Sequence, residues 1–306
     1  MALPTQIVID APTVRLTGWD YGGEHDSRPP LVMLHGLTDL AWSLHPVAAA
    51  LSERFRVLNF DLRGHGDSGH TGRYTVNHFV SDLRIVIDQL VLHRPVLFGH
   101  SMGSIVTSIF AGTWPEVPGA LVMVEGLGPP PRFGENEPAG RQLIRRAQIE
   151  SLMGDPTRPP MAGIEVARQR LRAAHPGLSD TRVAELAIVG TRAAPGGGLV
   201  WKWDPHVREW SAVFDRQRFE ETWSTITCPT MVITGGQAWE RWWKPTMAVR
   251  PGPDFDGPMS AGEEARRLAL FADVEHHTLD AGHMVHFDLP AQLAALVTDF
   301  LTRRVG

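Results

Sequence analysis

The chain has 306 residues, 43% of them apolar and 21% charged, with a net charge of −5 when histidine is counted as neutral. That apolar content supports a sizeable core and excludes global disorder, while the modest negative charge speaks against nucleic acid or an anionic membrane as a partner. The length suits one large α/β domain with an insertion.

Cys228 is the single cysteine, so no internal disulfide can form and the chain tolerates a reducing compartment. The opening MALPTQIVIDAPTVRL lacks a basic segment followed by an apolar one, and no apolar run approaches the ~18 residues of a membrane span. The expectation is a cytoplasmic protein with no membrane partner.

In chain order, residues 5–10 and 13–19 alternate or run apolar around a proline turn and read as a leading hairpin. LVMLHG after Pro29-Pro30 is a short apolar run of the kind a buried parallel strand requires. A helix over 44–51, a strand over 55–61 and the Gly-rich loop RGHGDSG follow. Next come a helix over 76–92, a strand from Pro95 to His100, a helix from Ser101 to Thr113 and a strand over 119–125. This alternation implies a mostly parallel sheet with helices on both faces. It breaks at Gly126. GLGPPPRFGENEP is a loop, and residues 138 to about 225 carry helical segments with apolar positions three or four apart. Alternation resumes with CPTMVITGG, a helix around 262–271, VEHHTLDAG and a last helix from Pro290 to Arg303. The expected organisation is therefore a discontinuous core, 1–126 plus 226–306, with an inserted helical cap over 127–225.

The chemistry-bearing motif is Gly99-His100-Ser101-Met102-Gly103, set between an apolar strand and a helical run. G-x-S-x-G in that context lifts the serine off the strand end on a sharp turn, and the helix N-terminus beyond offers free N–H groups to developing negative charge. Ser101 is the expected nucleophile.

Over nearly its whole length the chain resembles the α/β-hydrolase superfamily. The motifs that carry the resemblance are His35-Gly36, Asp61-Leu-Arg-Gly-His-Gly-Asp-Ser68, Gly99-His-Ser-Met-Gly103 and Gly282-His283. The resemblance implies an eight-stranded, mostly parallel sheet and a general base on the loop after the last strand, which selects His283 from 14 histidines. His286 then reads as a loop or helix-cap residue. His276 and His277 read as packing or solvent-facing, His100 as pointing elsewhere, and His35 and His65 as loop organisers. The implied oxyanion hole uses the backbone N–H groups of Leu37 and Met102.

The acid departs from the common family pattern. The usual loop position holds Ala238, with Glu240 two residues on. A second family arrangement uses the end of the strand after the nucleophile helix, which is Glu125. The reading favours Glu125, keeps Glu240 as the alternative and places Asp280 third. Ten tryptophans are many for this length, and Trp42, Trp201, Trp203, Trp210 and Trp239 are candidates to line an apolar pocket, with packing between cap and core as the competing role. No zinc-type cluster of Cys and His is visible in the sequence, and the expected chemistry needs no metal or organic cofactor. The expected substrate is a small hydrophobic molecule, a medium-sized carboxylic ester or lactone. The alternatives are hydrolysis of a carbon–carbon bond in ring-cleavage products and non-catalytic binding of a hydrophobic ligand.

Overall fold

The computed structural model describes residues 3–22, 28–132, 134–213, 216–247 and 255–305. Strands β1 (Thr5–Ala11) and β2 (Val14–Asp20) form the leading hairpin. β3 (Leu31–Leu34), α1 (His45–Leu51), β4 (Val57–Phe60), α2 (Val76–Gln89), β5 (Val96–His100), α3 (Met102–Thr113) and β6 (Ala120–Val124) then alternate. The alternating pattern of the sequence is thus met closely through the first half.

Residues 127–225 hold α4 (Pro138–Glu150), α5 (Ile164–Ala174), α6 (Asp180–Val189) and α7 (Arg216–Glu221). They also hold a two-stranded antiparallel hairpin, β7 (Thr191–Ala193) and β8 (Leu199–Trp201), which helical periodicity did not reveal. β9 (Thr230–Gly235) re-enters the main sheet and runs into a π-type turn, Trp239–Trp243, continued by α8 (Lys244–Met247). α9 (Ala261–Leu268), β10 (Val274–Leu279), α10 (Val285–Asp288) and α11 (Pro290–Arg304) complete the chain. The Pro/Gly-rich stretch RPGPDFDGP over 250–258 reads in the sequence as an irregular insertion, and its residues 250–254 lie outside the described residues. Its remainder begins at Phe255, which bridges to Arg132.

The eight-stranded sheet has the order β1-β2-β4-β3-β5-β6-β9-β10. β2 is antiparallel to both its neighbours, and the pairs from β4 to β10 are parallel. Strict alternation assigns each strand's side chains to two cores. Leu31, Met33, Val96, Phe98, Val122, Val124, Met231 and Ile233 pack with α1 and α11. Val32, Leu34, Leu97, Leu121, Met123 and Val232 pack with α2 and α3. With both faces covered, the central strands read as continuous apolar runs because every position is buried.

Connections leave β3 toward β4 on one side and β5 toward β6 on the other, so the sheet reverses its winding between β3 and β5. At such a switch point the carboxyl ends of the strands leave an open crevice. Elements of residues 127–225 meet the loops at this edge. Trp42 Nε1 donates to Glu185 at 2.5 Å, Tyr74 donates to Asp204 at 2.6 Å, and the His175 ring meets Phe287 at 5.1 Å.

Candidate active site

Five loop ends converge at the switch point: those after β3, β5, β6, β9 and β10. Ser101 ends β5 with φ 51° and ψ −115°, a conformation that side chains rarely adopt. The sharp turn is possible because of the two flanking glycines. A Cβ on Gly99 would lie 2.3 Å from Ser104 N, and one on Gly103 2.3 Å from Leu34 O. Only bare backbone passes there. Thr38 (φ 59°) and Glu125 (φ 53°) are also left-handed, so three of the five such non-glycine residues described surround one site. Strain of this kind costs about 1–3 kcal/mol per residue and persists where function holds it in place.

The three candidate polar residues meet in one line. His283 Nε2 lies 3.0 Å from Ser101 Oγ, and His283 Nδ1 lies 2.8 Å from Glu125 Oε2. With Nδ1–H donated to the carboxylate, Nε2 keeps its lone pair toward the hydroxyl. The second carboxylate oxygen accepts the Gly235 N–H at 2.5 Å. His283 and Glu125 are nearly buried, whereas Ser101 is only partly buried. Glu240 turns away into an exposed ion pair with Lys244 at 2.9 Å, and Asp280 accepts from Gln237.

Leu37 follows the loop that touches the nucleophile turn, where a Cβ on Gly36 would stand 3.4 Å from Ser101 Cβ. Among the described residues its N–H has no partner. Met102 opens α3, and the N–H groups of a helix's first turn have no acceptor within the helix. The Asp61–Ser68 segment supports this loop. Asp61 accepts the N–H groups of Ala41 (2.7 Å) and Asp67 (2.9 Å), and His35 Nε2 accepts that of Leu62 at 3.0 Å. His65 Nε2 accepts the Thr38 N–H at 3.1 Å. That bond needs a neutral ring, and burial, helped by the nearby His35, pushes the His65 pKa down to about 3. His35 and His65 are the loop organisers expected from their positions.

The aromatic surroundings differ from the sequence expectation. Trp42 stacks on His45 at 4.4 Å and lies edge-on to Trp19 at 5.0 Å. Trp201 packs beside Met161 and Ala187, while Trp203 and Trp210 join the core beneath α2 and α3. Trp239, half-buried, opens the π-type turn. These contacts match the packing role. The tryptophan rings that meet His283 among the described residues are Trp242, stacked at 4.9 Å and 13°, and Trp243, edge-on at 5.3 Å. A π-type turn adds one residue to a helical turn and is frequent at functional sites. Here it presents two successive tryptophans to one imidazole. It is clamped to the His283 loop by Asp288, which pairs with Arg241 at 2.9 Å and accepts the Gly282 N–H at 2.7 Å. The WERWW run was the available signal for this pair.

A second polar group, invisible in the sequence, lies behind the imidazole. His100 Nε2 is 2.9 Å from the His283 carbonyl oxygen, and the His100 ring is 4.4 Å from that of His286. His286 sits in α10, fully buried, rather than in a loop, with Nε2 3.6 Å from Asp39 Oδ2. Burial lowers the pKa of both histidines, His100 most, where the neighbouring histidine rings add to the effect. Burial alone would raise Asp39, but His286, His35 and Ser43 together bring it below the usual carboxylate range.

Among curated proteins, the chain is 27% identical over 294 residues to an sn-1-specific diacylglycerol lipase of Danio rerio, covering 95% of this chain and 84% of that one. It is 24% identical over 295 residues to a serine hydrolase-like protein of the same fish, covering 95% and 86%. Among solved structures, a thioesterase domain from the curacin biosynthetic pathway superposes with a TM-score of 0.78 at 23% identity, over 98% of this chain and all of that one, a likeness of fold. No described helix is long and apolar enough to cross a membrane. The alpha/beta hydrolase family model matches residues 31–296, and the chain belongs to that family.

Proposed function

We propose that this hydrolase cleaves a carboxylic ester or lactone of a medium-sized hydrophobic substrate through an acyl-enzyme on Ser101. The observation that carries the reading is the continuous relay from Glu125 Oε2 to His283 Nδ1 at 2.8 Å and from His283 Nε2 to Ser101 Oγ at 3.0 Å. Both lengths are within hydrogen-bond reach of a nucleophile, its base and the group that orients the base. His283 takes the hydroxyl proton as Oγ attacks the carbonyl carbon. The Leu37 and Met102 N–H groups hold the oxyanion, which such donors stabilise by about 3–4 kcal/mol each. The imidazolium then protonates the leaving oxygen. In the second half His283 activates water to release the acid. Glu125 keeps the proton on Nδ1 and stabilises the imidazolium that forms.

Residues 127–225 act in this reading as the cap over the site. Trp242 and Trp243, which follow β9, put apolar aromatic rings beside His283 that suit a hydrophobic acyl or leaving group. The lipase and thioesterase relatives are consistent with ester chemistry. The test is turnover of p-nitrophenyl esters of increasing acyl length, with Ser101→Ala as control and mass detection of the acyl-enzyme. Ester turnover that requires Ser101 and leaves an acyl mass on it supports the reading. Cleavage of a vinylogous diketone without ester turnover replaces it with carbon–carbon hydrolysis, and ligand binding without any turnover replaces it with a binding role.

A further inference from the structure

Three segments of chain place Asp39, His100 and His286 around one point behind the His283 imidazole. Asp39 lies two residues past Leu37, His100 just before Ser101, and His286 three residues past His283. One ligand-type atom from each lies within 4.8 Å of the other two. The hydrogen bonds around the group fix what it offers. The His283 carbonyl can only accept, so His100 Nε2 carries the proton in the 2.9 Å contact between them. His100 Nδ1 therefore keeps its lone pair. That atom is buried without a hydrogen-bond partner among the described residues, while His286 Nε2 faces Asp39 Oδ2 at 3.6 Å, beyond ordinary hydrogen-bond length. Leaving a buried polar atom unpaired costs about 1–3 kcal/mol, and an ion held between His100 Nδ1, His286 Nε2 and Asp39 would satisfy both the orphaned nitrogen and the long contact. The Gly36 backbone passes close to His100 Nδ1, from which a Cβ would stand 3.0 Å.

We propose that Asp39, His100 Nδ1 and His286 Nε2 form a binding site for a divalent transition-metal ion of the zinc type. Two imidazoles and a carboxylate suit zinc, nickel or copper and disfavour magnesium and calcium, which take oxygen ligands. The outer contacts are those of a metal site. His100 donates its far nitrogen to a backbone carbonyl, and Ser43 donates its hydroxyl to Asp39 Oδ2 at 2.7 Å, so that two of the three ligands are already oriented. Ligand atoms on a tetrahedral zinc stand roughly 3.4 Å apart, which the 3.6 Å between His286 Nε2 and Asp39 Oδ2 already approaches. Asp39 is the most exposed member of the three. The ion would sit one ring away from His283, across the 5.2 Å that separates the His100 and His283 centroids. Its positive charge opposes any positive charge gained by His283, so occupancy slows a reaction that passes through an imidazolium.

The test is metal binding itself, on the full chain stripped with a chelator. Zn2+ is titrated by equilibrium dialysis, and Co2+ is used as a visible-absorption probe of nitrogen and oxygen ligation. One tightly held ion per chain is expected, with affinity reduced about 100-fold or more in His286→Gln and in Asp39→Asn and retained in His283→Ala. Circular dichroism checks that the variants are folded, and Asp39→Asn carries the test if His286→Gln is not. Absence of binding by the wild-type chain overturns the proposal. So does binding that survives both variants, which assigns the ion to surface histidines, or binding lost in His283→Ala alone, which assigns it to His283.

Discussion

Glu125 and His283 come from strands separated by β9, yet their side chains meet at 2.8 Å because the loop after β10 folds back over the end of β9. In the proposed mechanism a carboxylate so held keeps the imidazole in the tautomer the serine needs. Glu125→Gln is therefore expected to lower kcat by about 10³–10⁴-fold, in line with loss of the orienting acid in other triads. Glu240→Gln and Asp280→Asn should stay within roughly twofold of wild type, since exposed pairs contribute little. Steady-state turnover of the three variants checks this, and a collapse confined to Glu240→Gln would move the acid to the π-type turn.

Ser101 carries a left-handed backbone at the turn between β5 and α3. At φ 51° a glycine is unstrained, so Ser101→Gly should stabilise the fold by about 1 kcal/mol or more while abolishing turnover. Ser101→Ala, equally inactive, keeps a Cβ and should melt near wild type. Thermal unfolding of the two variants separates strain from chemistry. Equal melting temperatures would show that the turn relaxes without cost.

The features legible in the sequence were those that chain order alone determines. The G-x-S-x-G turn announced itself through the strand before it and the helix after it. Gly282-His283 and Glu125 were singled out through the family resemblance, which implies a base after the last strand and, in one arrangement, an acid at the end of the strand after the nucleophile helix. What was hidden depends on which loops fold onto each other. His100 and His286 looked like bystanders because their partners are distant in the chain, as the His100–His283 contact across a separation of 183 positions shows. The tryptophans were legible as a composition but not as a geometry. The ones nearest the imidazole lie in a π-type turn, and that turn has no period to read. The β7–β8 hairpin was missed because three-residue strands are too short to show alternation.

Trp242 lies parallel to the His283 ring at 4.9 Å, where it fixes the ring plane and faces any positive charge that develops on it. Aromatic and cation–π contacts of this type contribute about 0.5–1.5 kcal/mol. Trp242→Ala should lower kcat/KM by about 2–10-fold, and Trp242→Phe should recover most of the loss. An unchanged kcat/KM in Trp242→Ala would assign the ring to packing alone.

Glu263 ties α9 to the inserted segment. It accepts from Arg266 (2.7 and 2.8 Å) and Arg267 (2.7 Å), and the same arginines reach Glu220 of α7, which also pairs with Arg216. Arg266 lowers the Glu263 carboxyl most, against the opposing effect of burial and with further help from Arg267, to about 2. A folded-state pKa below the unfolded value of about 4.3 gives stability that is present above that value and is lost as pH falls toward 2. Partial exposure of Arg266 screens the pair and limits the effect to about 1 kcal/mol. Glu263→Gln should melt a few degrees below wild type at pH 7, with the gap narrowing between pH 5 and pH 3. A gap independent of pH would indicate lost packing instead of lost charge.

Gly235 holds the site together without taking part in the chemistry. Its N–H binds Glu125 Oε1 at 2.5 Å, and the loop carrying His283 passes directly over it. A Cβ at this position would stand 2.3 Å from Gly282 O and 2.7 Å from Ala281 O, both backbone atoms with no side-chain freedom to yield. Gly235→Ala must therefore push the loop outward, lengthening the His283 contacts to Ser101 and Glu125 together. A displacement of about 1 Å in such a relay costs on the order of 100-fold in rate. The neighbouring glycine provides the control, since a Cβ on Gly236 would meet nothing nearer than 3.4 Å. Gly236→Ala should turn over like wild type, while Gly235→Ala should lose about 100-fold in kcat and react correspondingly slowly with a fluorophosphonate at Ser101. Equal activity of the two variants would mean that the loop has another way to reach the nucleophile.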